Sequence, residues 1–552
     1  MNKNLCMHVI WTSVREKIGQ TVLLAAAALA SVLLSLIPPI ILKNVIDQYL
    51  GSGNTSAILY MALLYVSIYF VCGIADFLKS TLLAKIGQHI IFRLREQMMA
   101  KMERIHTSYF TANTPSEITS RIINDVNTVS GLFTNGVVSM SADLLKIIGV
   151  LISISVFSMK LMWMMLILIA IIFVITRIFQ KNVLVAQKKN LAQLAIVNSH
   201  IGETIHCFRM IHSFFAQTYM EELYNRKLTA NYNTKKEVLL YDSLYSPIIQ
   251  TLRAIAIILI AFAASGIGLN FGLSIGMLAA SIEYVGNLLS PIESLGEEFQ
   301  SIQSGISGAV RINEFALTPE QKKPSAEVTL ESLAEAEKQE IVFDHMSFSY
   351  QPDVPVFTDF SLTIPAGNIV TLTGRTGIGK TTMFNLTAGL LSPDSGKVTI
   401  NGVPSDQIPE NIRRSLFGYI EQNFSFIPGT VAEQITLNDE RITNDQVVQA
   451  CRFVGIDEWI MKLEKGYETD ARGGQEFSWG QRQLLAIARA IVSNPRILLL
   501  DEISANLDAE TEKNILQILQ KASAGRTILA ISHRPSSILQ NSRVVNIEKA
   551  VG

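Results

Sequence analysis

The chain has 552 residues, of which 49% are hydrophobic and only 17% charged, with a formal net charge of −1. That length exceeds one ordinary domain, the apolar excess is that of a membrane protein, and the balanced charge excludes a basic surface for nucleic acid. Cys6, Cys72, Cys207 and Cys451 stand singly, so neither a disulfide framework nor a metal spacing is expected.

Six apolar runs, each roughly 20 residues long, are expected to cross a membrane. They lie near Val22–Ile46, Ile58–Leu78, Val137–Phe157, Leu161–Phe179, Pro247–Gly268 and Leu273–Pro291. A polar leader with Lys3, Arg15 and Lys17 precedes the first run, which is too long for a signal-peptide core. No small-residue cleavage site follows it, so it is expected to remain. The segment between runs two and three holds Lys85, Arg93, Arg95, Lys101, Arg104 and Arg121. The segment between runs four and five is also rich in Lys and Arg, whereas Leu269–Gly272 carries no charge. The positive-inside rule therefore places both long segments and both termini in the cytoplasm. Ile90–Ile105 and Ala186–Tyr224 carry helical apolar spacing, so the spans are expected to continue as cytosolic helices.

Composition divides the chain into a membrane part, 1–317, a polar linker, 318–338, with Pro319 and Pro324, and a part, 339–552, in which short β-rich runs alternate with helical ones. The fold class expected is an all-α six-helix transmembrane domain followed by an α/β P-loop domain. Ile369–Thr373 reads as a strand and Thr381–Leu391 as a helix. Between them runs Gly374-Arg375-Thr376-Gly377-Ile378-Gly379-Lys380-Thr381-Thr382, which fits G-x-x-x-x-G-K-[ST]. Such a loop wraps nucleotide phosphates with backbone N–H groups at a helix N-terminus. Lys380 is expected on the β- and γ-phosphates, and the Thr381 hydroxyl on Mg²⁺. Further on, the apolar run Ile497–Leu500 ends in Asp501 and Glu502. Asp501 is expected to hold Mg²⁺ through water, and Glu502 to polarise the attacking water.

Between these motifs lies Phe477-Ser478-Trp479-Gly480-Gln481, followed by Arg482-Gln483-Leu484-Leu485-Ala486-Ile487-Ala488-Arg489-Ala490. This resembles the L-S-G-G-Q signature of ABC transporters and its R-Q-x-x-x-[IL]-A-R-A helix. The resemblance extends over nearly the whole chain. In the membrane part, Arg93-Leu94-Arg95, Ser120-Arg121-Ile122-Ile123-Asn124-Asp125-Val126 and Ala309-Val310-Arg311-Ile312 are similar to the exporter branch of that family. The resemblance implies that Tyr350 stacks on adenine and that Gln422 senses Mg²⁺. It implies that Asp508 belongs to the D-loop and that His533 contacts the γ-phosphate beside catalytic Glu502. It also implies two short coupling helices, near Tyr109–Pro115 and His206–Phe215. ATP and Mg²⁺ are the implied cofactors, and a second half-transporter chain, the bilayer and a transported molecule the implied partners. The implied site is a cell membrane, expected to be bacterial, with the nucleotide domain cytoplasmic.

Trp479 departs from the pattern, which has Gly at that position. In the family two nucleotide domains sandwich ATP head to tail, and each lends its signature, here Ser478, Trp479, Gly480 and Gln481, to the ATP of the other. An indole there is expected to crowd the phosphate, so a homodimer would carry the defect in both sites. The expectation is a heterodimer in which the other chain has an intact signature and a degenerate catalytic Glu. The family usually continues beyond Val544–Glu548 with a Gly-rich turn and a helical segment, and trimming of a surface tail is expected here. The function expected is ATP-driven efflux of a small amphipathic molecule, drug, lipid or peptide. The alternatives are an exporter-folded importer or a non-transporting ATP-gated regulator. Charges inside the spans (Asp76, Lys79, Asp143, Lys146, Arg253 and Glu283) are expected to pair internally or to meet cavity water, with Glu283 the candidate for substrate contact.

Overall fold

The computed structural model describes residues 4–50, 55–107, 109–110, 113–264, 274–320, 333, 340–351, 354–375, 377–422, 424–472, 474, 477–502, 508–532 and 539–549. It divides into two compact units, Met1–Glu103 with Pro115–Thr318, and Arg104–Thr114 with Pro319–Gly552.

The first unit is helical. A short amphipathic helix, α1 (Leu5–Glu16), leads into α2 (Ile18–Tyr49). Then come α3 (Thr55–Met102), α4 (Pro115–Phe157), α5 (Met159–His206), α6 (Phe208–Ser213), α7 (Gln217–Ala264) and α8 (Ile275–Leu317). All but α1 and α6 are long and apolar enough to cross a membrane. At 1.5 Å per residue the 48 residues of α3 or α5 reach roughly 70 Å, more than twice a hydrocarbon core of about 30 Å. The helices therefore run well past the membrane, as the spacing of charges along them requires. The Ile90–Ile105 pattern stays helical to Met102. Ala186–Tyr224 is instead broken into α5, α6 and α7: the chain leaves the helix at Cys207, and Phe215 turns left-handed at φ 54° before α7. The second expected coupling helix coincides with α6. At the first, Tyr109 and Phe110 are helical, and the Asn113 N–H donates to the Tyr109 carbonyl at 3.1 Å.

Small residues let α4 and α8 approach closely: a Cβ on Gly308 would collide with Thr128, and one on Gly305 with Leu132. Nearby, Arg311 of α8 donates through Nε at 2.9 Å and a terminal nitrogen at 2.6 Å to the two oxygens of Asp125. Asp125 is buried, so this two-bond fork satisfies a charge that would otherwise be costly. Asp76 bonds Lys79 at 2.8 Å and Ser31 at 2.6 Å. Asp143 takes its hydrogen bond from Ser294 of α8 and is not ion-paired to Lys146, one turn away.

The second unit holds two sheets. The antiparallel sheet has order β2-β1-β4-β5, built from β1 (Ile341–Gln351), β2 (Val354–Ile364), β4 (Ser395–Ile400) and β5 (Val403–Pro404). The parallel sheet has order β6-β7-β8-β3-β9, from β3 (Ile369–Thr373), β6 (Phe417–Ile420), β7 (Ile497–Asp501), β8 (Thr527–Ile531) and β9 (Arg543–Asn546). β7 and β8 are continuous apolar runs because both faces are covered, and Ile497–Leu499 and Ile528–Leu529 are fully buried. The expected strand Ile369–Thr373 is β3. The helix after it, α9, spans Lys380–Thr387 and stops four residues short of the expected Leu391. Gly389 ends it: φ is +67° there, and a Cβ would collide with the Ser405 carbonyl. Gly389→Ala should cost about 2 kcal/mol or more. Calorimetry should show this as a lower unfolding midpoint for the nucleotide-binding unit, and an unchanged midpoint would remove the constraint.

Most of the expected linker, 321–332 and 334–338, lies outside the described residues, as do residue 339, Thr376, 503–507 and His533.

Candidate functional site

The candidate residues gather at the carboxyl ends of the parallel strands, where open α/β sheets bind ligands. The P-loop follows β3, Gln422 follows β6, Asp501 and Glu502 end β7, and β8 stops at Ile531, two residues before His533. This convergence follows from topology: parallel strands present all their exit loops on one edge.

The P-loop bends through left-handed backbone at Gly374, Gly377 and Gly379. At Gly379, with φ +104°, a Cβ would lie 2.5 Å from Val356 and 2.7 Å from the Phe357 ring, so only glycine fits. Lys380 opens α9 and is 6% exposed, its Nζ donating to the Gly374 carbonyl at 2.7 Å and the Arg375 carbonyl at 3.1 Å. Burial makes its ammonium easier to deprotonate, while the nearby negative charges of Glu502 and Asp501 oppose that. Thr381 is exposed in the first turn of α9 and Thr382 is buried behind it. Ile378 packs on the core under the loop. The exposed Arg375 gives its backbone N–H to Glu548 at 2.9 Å. Tyr350, on β1 and half exposed, shares a hydrogen bond with the Thr382 hydroxyl at 3.1 Å and meets Phe348 edge-on.

Asp501 is pushed above the usual carboxylate range, first by burial and then by the charge of Glu502. Tyr419 donates to it at 3.4 Å and Lys380 also favours its ionised form. Glu502 sits in left-handed backbone, φ +42°, which a non-glycine residue adopts only under constraint. Its Oε2 accepts from Gln422 Nε2 at 3.2 Å, so the glutamine after β6 and the acid after β7 are in direct contact.

The signature residues occupy the start of α14 (Trp479–Ile491), after α10 (Glu410–Leu416), α11 (Val431–Thr436), α12 (Asn444–Val454) and α13 (Asp457–Ile460). Ser478 is the N-cap, accepting from Gln481 N–H at 3.3 Å, while Gln481 Oε1 accepts from Ser478 N–H at 2.8 Å. This reciprocal capping box fixes the turn with its own side chains. Trp479 holds the first helical position and is partly buried. Gly480 packs against Thr511 of α15 (Ala509–Ala522). Asp508 caps α15, its carboxylate held below the usual range by the Thr511 N–H at 3.0 Å.

Gln483 was not among the candidates. It is 1% exposed, and its Nε2 donates to the Gln422 carbonyl at 2.9 Å, tying α14 to the loop after β6. Its signal in the sequence is position: it shares a helical face with the buried Ala486, Ile487 and Ala490, where a polar residue needs a partner.

The carboxylates of Asp501 and Glu502, with the inward-turned Lys380, fit a nucleotide with its divalent cation. Burial and the charge of Glu502 disfavour the ionised form of Asp501, a cost that a bound cation would offset, and the exposed Thr381 hydroxyl stands at a helix N-terminus.

Comparison with known proteins agrees with this geometry. Residues 21–292 match the family model described as the ABC transporter transmembrane region, and residues 357–505 the model described as ABC transporter. The chain is 28% identical to the uncharacterized ABC transporter ATP-binding protein YknV of Bacillus subtilis, over 93% of this chain and 84% of the relative. It is 28% identical to an ATP-dependent lipid A-core flippase of Psychrobacter arcticus, over 88% of this chain and 80% of that one. A fatty acid ABC transporter ATP-binding/permease protein of Mycobacterium tuberculosis is 26% identical over 88% of this chain and 76% of its own length. A bacterial Atm1-family ABC exporter with ATP bound shares the fold, with TM-score 0.76, 21% identity, and coverage of 97% of this chain and 93% of that one. Joining a transmembrane region to an ATP-binding domain in one polypeptide, the chain belongs to the ABC transporters, as a half-transporter of the exporter type.

Proposed function

We propose that the chain is one half of a dimeric pump that hydrolyses ATP to expel an amphipathic small molecule, drug, lipid or peptide across the cell membrane. The observation that carries this reading is the contact of Gln422 with Glu502 beside Asp501 and the buried Lys380. A water-polarising acid, a sensing glutamine and a phosphate-binding lysine thus stand at one sheet edge. The Lys380 ammonium leaves its two loop carbonyls for the β- and γ-phosphates when nucleotide enters. Backbone N–H groups from Gly374 to Thr382 surround those phosphates, and the Tyr350 ring supports the base. Thr381, Gln422 and Asp501 would hold Mg²⁺, which supplies charge neutralisation at the phosphates. Glu502 orients water for in-line attack, and His533 steadies the γ-phosphate.

The Lys- and Arg-rich helical extensions support a cytoplasmic nucleotide domain and cytoplasmic termini. The domain limits 1–317, 318–338 and 339–552 follow from the same reading. Relatives named for lipid A-core and fatty acids support an amphipathic cargo. Trp479 supports a heterodimer, with this chain's hydrolytic residues facing an intact signature on a different chain.

Lys380→Ala should weaken ATP binding at least about tenfold and stop ATP-driven transport into inverted vesicles, since it removes the charge that two carbonyls now satisfy. Unchanged ATP affinity would withdraw the phosphate contact. Vesicles that move none of a range of amphipathic dyes with ATP would withdraw the pump.

A further inference from the structure

Glu283 projects from α8 roughly 12 Å along the helix from Ile275, well inside the apolar span. Its Oε1 accepts from Tyr69 Oη at 2.9 Å and from Tyr65 Oη at 3.3 Å, both on α3. Its Oε2 is buried and has no hydrogen-bond partner. A carboxylate offers about four acceptor positions, so one oxygen is served and the other is left bare in apolar surroundings. An ionised carboxylate held this way at membrane depth is costly, and a positive charge beside it would offset that cost.

Among the described residues no side chain is ion-paired to Glu283. Lys79 is committed to Asp76. Arg253 of α7 packs over Gly286, one turn along α8, and is not ion-paired to Glu283. The same place offers a second attraction for a cation. The Tyr65 and Tyr69 rings stand 4.9 Å apart, tilted by 57°, and Tyr69 is 48% exposed, so a π-face is open to an incoming group. One carboxylate and two phenols are too few oxygens for a hard metal ion, which takes six or more ligands. They suit a poorly hydrated organic cation, whose apolar body shares the span with the exposed Val66 and Phe70.

We infer that Glu283, Tyr65 and Tyr69 form the recognition point for the cationic head of a lipophilic organic cation. This rests on the pump reading for its purpose but not for its chemistry. The test uses the assembled transporter in lipid nanodiscs without nucleotide, with ethidium as the probe and fluorescence polarisation as the readout. Ethidium should bind saturably. Glu283→Gln keeps the size and the tyrosine bonds but removes the charge, and should weaken binding about tenfold or more. Tyr69→Ala should weaken it severalfold and more than Tyr69→Phe, which keeps the ring. A sulfonate dye should be indifferent to Glu283→Gln. Each variant should still bind ATP, which shows that it is folded. Ethidium binding equal in Glu283→Gln and wild type, or absent from wild type, overturns the site. In proteoliposomes the two readings separate. Glu283-dependent binding without ATP-driven ethidium movement sustains the site and sinks the pump. ATP-driven movement that ignores Glu283→Gln sustains the pump and sinks the site.

Discussion

Glu502→Gln should cut ATP turnover at least about 100-fold while leaving ATP affinity within about twofold of wild type. The substitution keeps the side-chain volume and a carbonyl oxygen that can still accept from Gln422 Nε2, so the 3.2 Å contact between the two loops survives. What it removes is the negative charge that, on the proposed reading, draws a proton from water. A positioned general base contributes about 10²–10⁴ in rate, which sets the expected loss. Binding should not suffer, for a reason visible in the neighbouring acid. Asp501 is pushed up by burial and then by the charge of Glu502, so neutralising Glu502 makes Asp501 easier to ionise and a better partner for a cation. The variant should therefore accumulate with nucleotide trapped. Phosphate release and fluorescent-nucleotide binding, measured side by side, check both halves. Turnover above a few per cent of wild type would take Glu502 out of its role, and lost binding would make it a structural residue, held at φ +42° for the sake of the fold.

The parts that were legible in the sequence are those in which chemistry forces adjacency. Lys380 and Thr381 can only serve phosphates from the first turn of a helix, and the strand before them, Ile369–Thr373, stands where the motif demands. The six apolar runs were legible because a bilayer imposes length and composition together. The helix after the P-loop was overrun because Ala388, Leu390 and Leu391 continue an apolar pattern, while its end is set by the backbone at Gly389 and the distant Ser405. Long-range partners leave no periodic trace. Asp125 and Arg311 lie in two separate stretches that resemble the exporter family, and nothing in either announced that they bond each other across 186 positions. The Gln483 link to Gln422 was hidden in the same way, as was the bare oxygen of Glu283, which depends on where two tyrosines of another helix fall.

Trp479→Gly should raise the ATPase rate of this chain, assayed without any other half-transporter, by about tenfold or more. That gain corresponds to about 1.4 kcal/mol of transition-state stabilisation. Ser478 and Gln481 already hold the turn in a closed capping box, so the start of α14 is formed, and the positive end of a helix favours an anion there. On the proposed reading the remaining obstacle is the indole at the first helical position, which would crowd a phosphate brought to this helix start. Glycine there costs at most about 1 kcal/mol in helix propensity, less at a first position than in the interior, so the domain should stay folded. The rate should rise because both composite sites of a homodimer then gain a signature that can close, while each keeps its own Lys380 and Glu502. In the presence of a chain with an intact signature the same substitution should matter less, since one site was already complete. A wild-type homodimer as fast as the variant would show that the indole swings clear of the phosphate, and the case for an unlike second chain would go with it. A variant that folds, binds ATP and stays slow would place the block elsewhere in the dimer, and the double variant with Phe477→Leu would then separate the turn itself from the aromatic packing of Phe477 on Phe426 and Trp459 beneath it.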